Sequence, residues 1–183
     1  MQHGLNTIET RQVKHIHYGA RSPYMDLNLP CGGALELVID PEPNLNMLCA
    51  ALEALHGRDL ATLSFAPEAG LVPSGQGGFQ FQYAPKPALL VAGRGAILRT
   101  TASLAASMGF ELHLASPDED DITSLAGLRP KSTHRMTTPN VPLKLPIDAH
   151  IAVLLLFHDH EWEHTLLINT VSVQPFFMGA LGR

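Results

Sequence analysis

Three short stretches carry side chains that could do chemistry. Phe157-His158-Asp159-His160-Glu161-Trp162-Glu163-His164 contains, read from His160, the pattern H-E-x-x-H. On a helix that spacing points two imidazoles the same way, so that they can hold zinc beside a glutamate general base. Leu89-Leu90-Val91-Ala92 runs into Gly93-Arg94-Gly95 and then Ala96-Ile97-Leu98. A strand, a tight glycine turn and a helix in that order are what a phosphate-cradling dinucleotide fingerprint requires. Leu29-Pro30-Cys31-Gly32-Gly33 places a thiol at a glycine turn.

Each stretch has a competing reading. The H-E-x-x-H begins three residues after the apolar run Ile151 to Phe157, at a strand end and first helical turn rather than inside a helix. After His164 the chain offers no His, Glu or Cys as a third ligand, so no metal site is expected. The fingerprint lacks its third glycine, because position 98 is Leu. It also lacks the ribose-binding acid, because the next strand ends in Ser116 and the acids begin at Asp118. NAD(P) is therefore not expected. A reactive thiol needs nearby positive charge or a helix N-terminus, whereas the arginine nearest upstream of Cys31, Arg21, is ten residues away. Cys31 could equally be a small buried hydrophobe before a strand.

The elements that would position these residues follow from periodicity. Residues 1 to 11 are polar and read as frayed, and Gln12 to Tyr18 can form a strand. Ala34 to Asp40 alternates as a strand does, and Pro41 stops it. Asn44 caps a predicted helix with the stripe Leu45, Leu48, Leu52 and Leu55 and a stop at Gly57; Cys49 reads as a small core residue beside that stripe. Ala61 to Phe65 and Phe79 to Tyr83 read as strands around a turn-rich stretch from Gly70 to Gly78. Pro85-Lys86-Pro87 reads as a linker.

Beyond the linker, strands and helices alternate. Strands are expected at Ala88 to Ala92, Glu111 to Ala115, Ile151 to Phe157 and Phe176 to Met178. Helices are expected at Ala96 to Met108, with a face of Ile97, Thr101, Leu104 and Met108, near Asp118 to Leu125, and at Glu161 to Val171. Arg129 to Pro146 reads as a connection. Alternation of this kind implies parallel strands with helical crossovers. The expected fold is α/β: a small α+β segment, residues 1–86, ahead of a Rossmann-like parallel sheet, residues 87–183. Gly93, Arg94, Gly95, Ser116, His158, Asp159 and His160 then fall at the C-terminal ends of parallel strands, where open α/β sheets bind ligands. The plainer reading of Glu161 and Glu163 is an acidic first helical turn favoured by the helix dipole.

Composition narrows the function. Of 183 residues, 45% are apolar and 16% charged, which marks a globular chain. A net charge of -5 without basic clusters argues against nucleic acid. The longest apolar run, Ile151 to Phe157, is too short to span a bilayer, and no signal segment opens the chain. Two cysteines 18 positions apart, without C-x-x-C, fit a reducing cytoplasm.

Three stretches in register resemble one family. They are Leu29-Pro30-Cys31-Gly32-Gly33 leading to a strand that ends Asp40-Pro41, Val91-Ala92-Gly93-Arg94-Gly95 after the linker, and Leu156 to Glu161 leading to Phe177-Met178-Gly179-Ala180-Leu181-Gly182. Together they are similar to the xanthine dehydrogenase accessory proteins of the XdhC/CoxI type, over about Tyr18 to Arg183. The resemblance implies an accessory protein rather than a turnover enzyme. It would carry molybdenum cofactor (molybdopterin) as cargo, assist its sulfuration and deliver it to a molybdenum hydroxylase, with a cysteine desulfurase as a further partner. It implies Cys31 for cofactor contact or sulfur handling, with Gly32, Gly33, the glycine turn and His158 to His160 lining the cofactor. The family's N-terminal glycine signature and C-terminal helices are not matched, so the chain is expected to be a shortened or divergent member, working as a homo-oligomer. The other readings are a nucleotide-dependent oxidoreductase, a metal hydrolase through His160 and His164, and an interaction module that dimerises through Phe176 and Phe177.

Overall fold

The computed structural model describes residues 2–19, 22–23, 32–139 and 145–181. The chain divides into two compact units, Met1–Ala84 and Pro85–Arg183.

The first unit is built from short antiparallel pieces. It opens with α1 (Gln2–Thr10), where a frayed segment was expected. Its threonines do not compete with the helix. Thr7 Oγ1 donates to His3 O at 2.7 Å and Thr10 Oγ1 to Asn6 O at 2.8 Å, and Thr7 is buried. Strand β1 (Lys14–Tyr18) pairs antiparallel with β2 (Leu35–Ile39), with His17 opposite Glu36. Glu36 is in contact with both His15 and His17. The hydrogen bond with His17, then that with His15, holds its carboxyl below the usual value.

Helix α2 (Leu45–His56) starts where expected, because Asn44 Oδ1 accepts from the Asn46 and Met47 N–H groups. Its expected leucine stripe is a correction. Leu45 and Leu52 are exposed, and the half-buried face is Met47, Leu48, Ala51, Ala54 and Leu55. No residue of this helix is fully buried, and Cys49 is exposed rather than core. Strands β3 (Ala61–Ala66), β4 (Gly70–Val72) and β5 (Phe79–Tyr83) form an antiparallel sheet in the order β4-β3-β5. Strand β4 lies inside the stretch read as turn. Asp40 holds it: Leu71 N–H donates to Asp40 Oδ2 at 2.8 Å, and Gly70, at φ +68, leaves room for that carboxylate where a Cβ would collide with it.

The second unit contains β6 (Ala88–Gly93), α3 (Gly95–Ser107), β7 (Glu111–Ser116), α4 (Glu119–Ser124), β8 (Ser132–Arg135), β9 (Ile151–Leu156), α5 (His160–Val171) and β10 (Phe177–Ala180). Its five strands are all parallel, in the order β10-β9-β6-β7-β8. Counted within the unit, that is 3-2-1-4-5 read from the β8 edge, the order of a Rossmann-type sheet, with its switch between β6 and β9. Strand β8 was not anticipated, because Ser132-Thr133-His134-Arg135 has no apolar alternation. It is an edge strand held by the parallel ladder from His113↔Ser132 to Ser116↔Arg135.

The central strands are apolar on both faces, as buried parallel strands should be. One face joins Leu90, Ala92, Val153 and Leu155 to Leu166 of α5. The other joins Leu89, Val91, Leu112 and Leu114 to Leu98, Ala102 and Ala105 of α3. The buried stripe of α3 is therefore Leu98-Ala102-Ala105, and the expected Ile97, Leu104 and Met108 are exposed. Two alanines let the helix approach the sheet, which the larger residues would not.

A polar chain crosses the β7–β8 edge. Ser132 Oγ lies 2.7 Å from His113 Nδ1 and 2.8 Å from His134 Nε2. Desolvation lowers the pKa of His134 below its ordinary 6.5. The unfolded chain then binds more protons than the native one just below that value, so this site's contribution to stability falls as pH drops from 6.5 through the lower folded pKa. Urea unfolding between pH 7 and 5 should show a steeper loss for wild type than for His134→Gln. Equal slopes would remove His134 from the acid response.

Candidate functional site

The strand order places the exits of β6 and β9 side by side while their helices leave to opposite faces, which opens a crevice at the C-terminal edge of the sheet. Gly93 ends β6 and pairs with Leu156. A Cβ on Gly93 would lie 2.7 Å from Leu156 O, so this glycine exists to let two strands approach. The turn itself belongs to Gly95, at φ +73 with open space around it. In a dinucleotide fingerprint the first glycine, Gly93, would make the turn and Gly95 would let the backbone approach a phosphate; here the turn falls on Gly95 instead.

Arg94 is exposed, extended and makes no side-chain cap on α3. Its guanidinium carbon lies 5.6 Å from the centroid of the Trp162 ring. Trp162 in turn stacks on buried Phe157, with centroids 6.3 Å apart and planes at 13°. This cation–π and aromatic stack ties the β6 turn to the start of α5. It brings Gly93, Arg94 and Gly95 together with the segment His158 to His160.

The N-terminus of α3 is already answered by the chain itself. Gly95 N–H donates to Asp121 Oδ2 at 2.5 Å, and Arg99 pairs with the other oxygen. Asp121 is fully buried in the first turn of α4. A carboxylate thus occupies the place where a dinucleotide's diphosphate would meet the helix. Ser116 is also fully buried, and its Oγ accepts from Asp118 N–H at 3.1 Å. Asp118 caps α4 by accepting from Asp120 N–H. Beyond them a cavity of about 380 Å³ is lined by Arg94, Pro117, Asp118, Glu119, Asp120 and Arg135, with Glu119 and Arg135 paired.

At the β9 exit, His158, Asp159 and His160 are exposed. Asp159 is the N-cap of α5, accepting from Glu161 N–H at 3.1 Å. Glu161 is exposed as a solvated first turn requires, but Glu163 is not: its side chain is 5% exposed. It lies on the helix face of Leu166 and Thr170, both buried. A cavity of about 500 Å³ opens along His160, Glu161, Glu163, His164 and Leu167. Among the described residues, no three His, Cys, Asp or Glu side chains are arranged to hold a metal ion.

Gly32 and Gly33 lie ahead of β2 in the first unit; Gly32 is exposed with φ +70, and Gly33 is half-buried. Cys31 lies outside the described residues. Asp121 and Trp162 were not singled out from sequence, and Glu163 was read only as part of an acidic, solvated first turn of α5. Their only signal was position: Trp162 and Glu163 sit one helical turn before Leu166, on the inward side of α5.

No protein-family model matches the chain. It is 30% identical over 187 residues to the molybdenum cofactor insertion chaperone PaoD of Escherichia coli K12, covering 97% of this chain and 52% of PaoD. The chain thus spans about half the length of that relative. In fold it is similar to a chain from Bacillus halodurans described as a xanthine dehydrogenase, with a TM-score of 0.72 and 14% identity, over 99% of this chain and 65% of that one. Among the described residues, no helix is long and apolar enough to cross a membrane. The chain is a homologue of a molybdenum cofactor insertion chaperone along nearly its whole length, as its resemblance to the xanthine dehydrogenase accessory proteins of the XdhC/CoxI type anticipated.

Proposed function

We propose that this chain handles molybdenum cofactor as cargo and passes it to a molybdenum hydroxylase, as an accessory protein rather than a turnover enzyme. The observation that carries this reading is the 30% identity to an insertion chaperone across 97% of the chain. The geometry is compatible with it and unfavourable to the nucleotide-dependent alternative, because Asp121 answers the α3 amide that a diphosphate would need. In this reading the cofactor lies in the crevice formed by Gly93, Arg94, Gly95, Ser116, His158, Asp159 and His160. Ser116 contributes by shaping the turn after β7. Gly32 and Gly33, which follow Cys31, are assigned to cofactor binding, and the Cys31 thiol to cofactor contact or sulfur handling. Sulfuration would draw on a cysteine desulfurase, and the work would be done in the cytoplasm. Phe176 and Phe177, 56% and 52% exposed at β10, the edge strand of the sheet among the described residues, are surface that a homo-oligomer would cover.

The test is cofactor content. The protein is purified anaerobically from a host that makes molybdopterin, and released pterin is oxidised and quantified by fluorescence. Wild type should carry pterin and Cys31→Ser severalfold less. Equal content in both would remove Cys31 from the mechanism. No pterin in wild type, with the host's supply confirmed, would overturn the reading.

A further inference from the structure

We propose that Glu163 is the pterin-recognising residue, its carboxylate accepting the paired N–H groups of the aminopyrimidinone edge; this rests on the cofactor-chaperone reading. The argument starts from an electrostatic oddity. Glu163 Oε1 is buried and has no hydrogen-bond partner among the described residues. His160 Nδ1 is 3.6 Å from Oε2, beyond hydrogen-bond range, on a side chain that is 78% exposed. Withdrawing a carboxylate from water without a partner costs several kcal/mol, and the helix dipole at the start of α5 offsets only part of that. Leu or Met at this position would join Leu166 at no such cost. An acid retained there is a binding group awaiting its donor.

The cavity beside it limits what the donor can be. At about 500 Å³ it lies within the range of small-molecule sites. An anionic group is repelled by Glu161 and Glu163. A metal ion would need more than this helix face supplies, since no three ligating side chains converge among the described residues. A carboxylate fork is best matched by two adjacent N–H donors held in one plane. In a pterin, N3–H and the 2-amino group form such a pair. The phosphate and dithiolene end of the cofactor is anionic, so the pterin end would enter first, and the sulfur-bearing end would remain outside for exchange.

The chain has one tryptophan, Trp162, next to Glu163. Pterins absorb where tryptophan emits, so binding reads out as quenching. The probes are 6-hydroxymethylpterin and 6-hydroxymethyllumazine, in which a carbonyl replaces the 2-amino group. Wild type should give saturable quenching with the pterin and bind the lumazine roughly tenfold or more weakly, the range of a lost hydrogen bond to a charged group. Glu163→Gln and Glu163→Leu should each weaken pterin binding at least as much. Both should keep or raise the melting temperature, because each removes an unpaired buried charge.

Equal affinity in the variants, or equal affinity for the two probes, would overturn the assignment. Host-derived pterin content separates the two levels of the argument. Content that falls in Glu163→Gln supports the assignment even if the free pterin binds too weakly to titrate. Full content in both proteins removes Glu163 while leaving the chaperone reading in place. No pterin in wild type by either assay fails both.

Discussion

Asp121→Ala should destabilise the Pro85–Arg183 unit by about 2–4 kcal/mol, measured by urea unfolding at neutral pH. The largest part comes from Gly95. Its N–H is the first donor of α3, and its partner is Asp121 Oδ2 at 2.5 Å. Without the carboxylate that half-buried donor loses its partner, which costs about 1–3 kcal/mol. The ion pair with Arg99 adds less. Asp121 is 1% exposed in its side chain but Arg99 is 45% exposed, so the guanidinium can turn to water when its partner goes. Asp121 also lies in the first turn of α4, so one negative charge serves the positive ends of two helices. Asp121→Asn keeps an acceptor oxygen for Gly95 and should recover about half of the loss. If alanine and asparagine cost the same, the charge rather than the acceptor holds the turn. A cost below about 0.5 kcal/mol for alanine would mean that the turn is held by the sheet alone. The same variant bears on function. Freeing the α3 terminus should raise its tolerance for a phosphate, so any NAD(H) binding that appears in Asp121→Ala and not in wild type would support the view that the acid excludes dinucleotides.

The parts of this fold legible from residues alone were those in which one physical requirement dominates. Ile151-Ala152-Val153-Leu154-Leu155-Leu156 can only be a strand covered on both faces, and it is the centre of a two-faced core. Asn44 is a helix cap because its side chain can replace a missing carbonyl, and it does so. Edge elements were less legible. Ser132 to Arg135 is a strand because β7 offers a ladder, and no pattern in those four residues says so. Gly70 to Val72 is a strand because Asp40, thirty-one residues before Leu71, anchors it. Helix faces were misread for a related reason. Hydrophobic size drew attention to Ile97, Leu104 and Met108, while closeness to the sheet selects Ala102 and Ala105. At the candidate site, positions at strand ends were legible, since they depend only on topology. The burial of Glu163 was not, because a carboxylate next to a cap reads as solvated until the rotation of α5 places it beside Leu166.

Gly93→Ala should cost more than Gly95→Ala, although the two glycines share one turn. At Gly93 the added Cβ would lie 2.7 Å from Leu156 O and 2.9 Å from Leu156 Cβ. Both contacts belong to β9, which is paired with β6 along six residues and buried on both sides. Backbone so placed cannot rotate aside. The two central strands must separate at their C-terminal ends, at a cost of about 3 kcal/mol or more, the upper end of overpacking penalties. At Gly95 nothing among the described residues lies within 4 Å of the added atom, and the penalty is the left-handed conformation at φ +73. That amounts to about 1–2 kcal/mol. Separation of β6 from β9 would also move Arg94 away from Trp162, so Gly93→Ala should shift the emission of that tryptophan in the folded protein, while Gly95→Ala should leave it nearly unchanged. Urea unfolding followed by tryptophan fluorescence reads both quantities in one experiment. The opposite ranking, with Gly95 the more sensitive, would mean that the turn rather than the strand contact sets the geometry of the crevice, and that the dinucleotide-style reading of these glycines was the better one.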